Sequence, residues 1–180
     1  MTARDRLLTA AARLFYDRGI AATGIDAIIA EAGVAKMSLY NTFGSKSALV
    51  AAYLDARHQE WLGLYAARVA PLAEDDHRGR VLAVFDAYAD HAESAHEHGF
   101  RGCGLLNAAA ELPVGDPGRS AVRRHKEQVE AILAGHAGPL AEHLSFLLEG
   151  SMARAGLEGG PERIAHARAL AAALLGPDRR

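Results

Sequence analysis

The sequence predicts an all-α fold of about nine helices, and three features carry that expectation. Alanine and leucine, both strong helix formers, dominate a chain of 180 residues in which half are hydrophobic and only 6% aromatic. Apolar residues recur at helical spacing in segment after segment, with no β-branched alternation of the kind a strand needs. Glycine and proline punctuate these segments where a helix would end. The length suits one or two domains with real cores. A division into residues 1–48 and 49–180 is expected.

Residues 2–18 form the first helix, with Leu7, Leu8, Ala11, Leu14 and Phe15 on one face. Gly19 ends it. Thr23 is expected to cap the next helix, with Asp26 in its first turn. Ile25, Ile28, Ile29 and Ala32 give that helix an apolar face, and Gly33 breaks it. Residues 38–43 continue as a third helix with Leu39 and Phe43 inward. A turn joining two short helices in this way pushes the second outward, to be read against another surface.

The outward side chains around that third helix are Lys36, Met37, Ser38, Tyr40, Asn41 and Thr42. These types suit DNA. Lysine neutralises phosphate, and the hydroxyls bond phosphate oxygens. Asparagine reads a base edge, and a methionine or threonine methyl touches thymine. Ser45 and Lys46 open a fourth helix whose N–H groups, with Lys46, form an anion site for one more phosphate. Charge agrees in sign. The first fifty residues carry six cations and four anions, against a net charge of -2 for the whole chain. On periodicity alone an ordinary three-helix bundle with a solvated face fits as well.

Residue identities go further. The stretches A-A-R-L-F-Y-D-R-G-I-A-A-T (11–23) and I-I-A-E-A-G-V-A-K-M-S-L-Y-N-T-F-G-S-K-S-A-L (28–49) closely resemble the N-terminal domain of the TetR family of transcriptional regulators. The family's Leu-Phe pair, glycine after the first helix, threonine cap, Ala-Gly-Val turn, Leu-Tyr-x-x-Phe helix and Lys-x-x-Leu opening all occur in order. The resemblance covers about the first fifty residues. It implies a helix-turn-helix DNA-binding domain followed by a helical ligand-binding and dimerisation domain. It also implies DNA contacts at Thr23, as a phosphate-binding cap, at Lys36, Met37, Ser38, Tyr40, Asn41 and Thr42, and at Lys46 as a phosphate clamp. The departures are Gly24, Ile25 and Asp26, where members often carry Thr, Val and Arg. Asp26 is an anion in place of a cation, and it stands outside the expected site.

Beyond residue 46 a helix is expected to run to about residue 69, with Leu49, Tyr53, Leu54, Trp61, Leu62 and Tyr65 as its stripe and Pro71 as its stop. Residues 73–79 read as a loop. Further helices are expected at about 80–97, 105–112, 120–136, 139–155 and 161–175, with loops at 113–118 and 156–160. The last two are rich in alanine and leucine. Packing within the chain explains that composition, and the resemblance adds a homodimer interface through both. Twofold symmetry suits two recognition helices about 34–36 Å apart on a palindromic operator.

No catalytic constellation or phosphate-type glycine loop is present, so an enzyme is not expected. His91, His96 and His98 lie near acidic residues, but 91 and 96 are five apart and do not share a helix face. His125, His136 and His143 are expected on polar faces, and no metal or cofactor is expected. The single cysteine, Cys103, excludes an intrachain disulfide. The polar N-terminus and the lack of a membrane-length apolar run suit a cytoplasmic protein without a membrane partner.

The stretch from Phe100 to Glu111 contains G-C-x-x-x-N-x-A-x-E, which resembles one branch of the family at its ligand cavity. The resemblance places a small-molecule effector near Asn107 and Cys103, helped by Trp61, Phe85 and Tyr88. A structural asparagine that ties the glycine-rich connection to its helix is the plainer reading. The expected whole is a ligand-released repressor. A helical ligand-binding or interaction protein that no longer reads an operator is the alternative, and Asp26 is its main support.

Overall fold

The computed structural model describes residues 1–93 and 99–177. Among the described residues there are nine α-helices, one 3-10 turn and no strand. The helices are α1 Ala3–Arg18, α2 Ile25–Ala32, α3 Lys36–Phe43, α4 Lys46–Val69, α5 His77–Glu93, α6 Gly104–Glu111, α7 Pro117–Ala137, α8 Ala141–Glu158 and α9 Glu162–Leu175. The 3-10 turn, Gly138–Leu140, leads into α8. The all-α expectation is met. His96 and His98, and the stretch expected to finish the helix of α5, lie outside the described residues.

The chain forms two compact units, residues 1–58 with 104–122, and residues 59–93 with 99–103 and 123–177. The division therefore differs from the expected one at residue 48. α4 runs unbroken through that position, and α6 belongs with the N-terminal helices.

In the first unit, Thr2 and Asp5 close a reciprocal capping box that starts α1. Leu7, Ala11, Leu14 and Phe15 are buried on its inner face, where α1 meets α2, α3 and α6. Ile28 from α2, Leu39 from α3 and Leu49 from α4 complete this core, each with no exposed surface. Truncating any of them to alanine removes about 2–5 kcal/mol. The rings of Phe15 and Tyr53 meet edge to face at 5.4 Å.

In the second unit, α9 packs on α8 and α5. Val81, Val84, Phe85 and Tyr88 from α5 fill a core with Val129 and Leu133 of α7, Leu144 and Leu148 of α8, and Ile164 and Ala171 of α9. Arg168 holds Asp86 through two charge-assisted bonds of 2.6 and 3.0 Å, fixing α9 against α5.

α3 begins at Lys36, two residues before the expected start, and α5 and α7 begin earlier than expected for a shared reason. The Asp76 carboxylate accepts from the Gly79 N–H at 2.7 Å, so α5 starts at His77. The Asp116 carboxylate accepts from the Gly118 N–H at 2.7 Å, and Pro117 takes the first helical position of α7. An aspartate cap and a proline at that position both favour a helix start. From the sequence alone each aspartate reads as part of a polar loop.

Candidate nucleic-acid interface and a buried polar cluster

α2 ends at Gly33, which adopts the left-handed conformation (φ 61°, ψ 42°) and turns the chain into α3. The Arg6 guanidinium donates to the Gly33 carbonyl at 3.3 Å and braces the turn from α1. Leu39 is buried and Phe43 half-buried, so α3 is pinned by one stripe. Its other side is open. Met37 is 65% exposed and Tyr40 40%, and Lys36, Asn41 and Thr42 are exposed beside them. Ser38 is half-buried, and the Thr42 hydroxyl donates to its carbonyl at 2.6 Å.

Lys36 and Lys46 are already engaged. Lys36 Nζ lies 3.0 Å from Asp26 Oδ1 across an exposed gap, and the hydrogen bond to Asp26 raises the lysine pKa. Lys46 Nζ donates to the Ile20 carbonyl at 2.6 Å. Ser45 caps α4 by accepting from the Ala48 N–H at 3.1 Å.

The second unit contains a partly buried polar cluster at the edge of its core. Lys126 on α7 lies 2.7 Å from Glu149 of α8, 3.2 Å from the Tyr88 hydroxyl and 3.5 Å from Cys103 Sγ. Its ammonium also stands 5.1 Å from the centre of the Tyr88 ring. His125 is buried, with Nε2 3.2 Å from the Tyr88 hydroxyl. Trp61 stacks on Tyr65 at 5.6 Å and meets His125 edge-on at 5.5 Å. Burial pushes the Tyr88 phenol well up, so it stays neutral. Burial opposes the Lys126 charge, but Cys103, Tyr88 and Glu149 outweigh it and hold the lysine pKa above its ordinary value. Two buried polar atoms here, Trp61 Nε1 and Glu149 Oε2, have no hydrogen-bond partner among the described residues. A buried group left so costs about 1–3 kcal/mol. The backbone near Cys103 is held close to α8 at Gly156, where a Cβ would lie 2.5 Å from Gly102 N.

The family profile "Bacterial regulatory proteins, tetR family" matches residues 7–53, from α1 into α4. A TetR-family transcriptional regulator from Streptomyces coelicolor is 33% identical, with a TM-score of 0.83 over 96% of this chain and 93% of that one. The chain belongs to the TetR family of transcriptional regulators. The HTH-type transcriptional activator FasR of Mycolicibacterium smegmatis is 41% identical over 90 residues, spanning 50% of this chain and 40% of that protein. The multidrug binding protein EbrR, solved with malachite green, superposes with a TM-score of 0.74 over 97% of this chain and 98% of that one. At 23% identity that likeness is one of fold.

In this TetR-family chain, Lys36, Met37, Ser38, Tyr40, Asn41 and Thr42 all fall on α3, as the sequence implied. Thr23 does not cap α2. Gly24 holds that position without a side-chain bond, and Thr23 is 1% exposed. Its hydroxyl donates inward to the carbonyls of Gly19 at 2.6 Å and Leu14 at 3.2 Å, so it braces the turn before α2. Lys46 is half-buried and turned to Ile20.

Trp61, Phe85, Tyr88 and Cys103 lie together in the second unit, whereas Asn107 belongs to the first. His125 is buried, not on a polar face. It follows Val122 by three residues and precedes Val129 by four, a spacing that puts it on the inner stripe. That same spacing was the available signal for His125 and Lys126. Glu149 gave none, because a carboxylate one residue from the buried Leu148 reads equally well as solvated. Among the described residues no group of three or more His, Cys, Asp or Glu can hold a metal ion, and no helix is long and apolar enough to cross a membrane.

Proposed function

We propose that this TetR-family regulator is a homodimeric, ligand-released repressor of a palindromic operator, with α3 as its reading helix. The observation that carries this is the open face of α3. Lys36, Met37, Tyr40, Asn41 and Thr42 offer phosphate neutralisation, base-edge hydrogen bonds and methyl contact from one rigid helix, with Leu39 fixed beneath. Lys46 adds a phosphate contact through the ammonium protons not given to Ile20.

Dimerisation through α8 and α9 is supported by apolar surface that those helices leave uncovered. Phe146 is 67% exposed, and Leu157, Leu170 and Leu174 are exposed as well. Phe146, Leu147, Gly150, Ala167 and Leu170 line one shallow groove on this face. The buried cluster around Tyr88 and Lys126 supports an effector site in the second unit. An effector that accepts from Trp61 Nε1 and donates to Glu149 Oε2 would relieve both unpaired atoms. EbrR, a relative in fold, was solved holding malachite green. Release requires the effector to prefer the arrangement that does not bind DNA; moving that equilibrium from 1:99 to 99:1 takes about 5.5 kcal/mol of preference.

The Asp26–Lys36 ion pair favours the second reading, a ligand-binding protein that has lost its operator, because it neutralises a cation on the reading face. A gel shift at low salt with the DNA flanking the gene separates the two. Retardation supports the regulator, and none at low salt, where phosphate contacts are strongest, rejects it. A reporter from the same DNA then reads the sign, which FasR, an activator, makes worth measuring. Deleting the gene raises expression for a repressor and lowers it for an activator.

A further inference from the structure

We propose that Glu111, at the C-terminal end of α6, is a positioning residue for the DNA-reading helices. It would set the α1–α2 turn from which α2 and α3 are launched. The proposal rests on the operator-binding reading above.

The Glu111 carboxylate accepts from two successive backbone N–H groups, Ile20 at 3.0 Å and Ala21 at 2.7 Å. Successive N–H groups in a turn form a concave anion site, here filled by a side chain 90 positions away in sequence. Lys46 Nζ bonds the Ile20 carbonyl at 2.6 Å, so residue 20 is held at its N–H by α6 and at its carbonyl by α4. Thr23 fastens the neighbouring Gly19 carbonyl. Three side chains thus fix the turn that ends at Gly24, where α2 begins.

Two independent features show that the turn and the carboxylate fit each other. Gly19 has φ 88°, and a Cβ there would lie 2.8 Å from Glu111 Oε1 and 3.1 Å from Oε2. Any other residue would be strained in its backbone and would crowd the carboxylate. Glu111 is also the last residue of α6, where the helix dipole disfavours an anion. Helix electrostatics do not account for a carboxylate there; the two N–H donors do. The chain passes from Cys103, in contact with Lys126, directly into α6.

Simple charge effects and positioning predict opposite results. Removing an anion from the DNA-binding unit should tighten binding to any DNA by charge alone. Positioning predicts that Glu111→Ala loses operator affinity while mixed-sequence binding is unchanged or tighter. The experiment uses the full chain and fluorescence anisotropy on two duplexes, one selected by the wild-type protein from a random pool and one of mixed sequence. Operator affinity should fall about tenfold or more in Glu111→Ala, equivalent to about 1.4 kcal/mol. Glu111→Gln keeps the shape and one acceptor and should fall between. Amide exchange at Ile20 and Ala21 should accelerate in both variants. Gly19→Ala should weaken operator binding in the wild type, and because Glu111→Ala relieves the crowding but not the backbone strain, the double variant should lose less than the sum of the two single losses.

Operator affinity within twofold of wild type in both Glu111 variants overturns the proposal. So does a parallel fall on both duplexes, which would mean mere loss of folded protein. If the wild type selects no duplex at all, the operator reading fails, and this inference falls with it.

Discussion

The open face of α3 and the polar cluster around Lys126 answer the same problem in opposite ways. Both regions are rich in hydrogen-bonding and charged groups. On α3 those groups stand in water and are lightly tied, Lys36 to Asp26 across an exposed gap and Thr42 to its own helix. In the second unit they are drawn partly inside, where Lys126 is surrounded by Glu149, Tyr88 and Cys103, and Trp61 Nε1 and Glu149 Oε2 have no hydrogen-bond partner among the described residues. Exposed groups keep their water, whereas groups drawn partly inside lose some of it on folding and depend on their neighbours for compensation. Substitutions in the cluster should therefore act on stability first, and substitutions on α3 on binding alone.

The largest effect expected from that contrast is in the cluster. Lys126→Met strands the Glu149 carboxylate in a largely apolar site. It should lower unfolding free energy by about 1–3 kcal/mol, less than for a fully buried pair because both side chains keep some exposure. Denaturant unfolding reads this, and adding Glu149→Leu should recover most of the loss. An unchanged midpoint in Lys126→Met would erase the distinction between the regions.

On α3, Tyr40→Ala should weaken operator binding about tenfold or more, with the denaturation midpoint held within about 0.5 kcal/mol, the usual range for an exposed site. A loss of stability comparable with that of Lys126→Met would place Tyr40 in the core and contradict its exposure. A smaller effect of opposite sign is expected at Asp26. Asp26→Asn frees Lys36 for phosphate, so affinity should rise a few-fold and the salt slope should steepen by about one phosphate contact. No change would mean that Lys36 makes no phosphate contact.

The smallest effect concerns a histidine pair that belongs to neither region. His136 Nδ1 is 2.9 Å from His77 Nδ1, and burial, with His77 and Arg80 nearby, lowers its pKa below the ordinary value. The unfolded chain then binds the extra proton more readily. The stability from this group is present above the ordinary histidine pKa of about 6.5 and is lost as pH falls through and below that value. The melting temperature should drop by a degree or two between pH 7.5 and 5.5, and His136→Gln should flatten that part of the profile.

How much of this was legible in the sequence depends on which contacts each residue makes. The ends of α1, α2 and α3 follow from local signals, with Gly19, Gly33 and Gly44 each closing a helix, and the inward Leu39 follows from periodicity. The starts of α5 and α7 were missed because an aspartate cap and a loop aspartate look alike until the N–H it accepts from is known. Thr23 has the residue type of a cap but faces inward, since carbonyls left by α1 lie within its reach. Glu111 was visible in its motif yet had no role, because its partners lie on a turn about 90 residues away. Local patterns announced α3 and its open face, whereas the Glu111 contact with the α1–α2 turn, and the cluster within the second unit, depend on contacts between distant segments.

The central claim is that α3 reads DNA sequence, and Asn41 tests it most directly. Site selection from a random pool should give the wild type a palindrome, and Asn41→Ala should lose discrimination at one symmetry-related position in each half-site, by about 1–3 kcal/mol. An unaltered selection profile in Asn41→Ala, with wild-type affinity, would contradict the assignment of α3 as the reading helix.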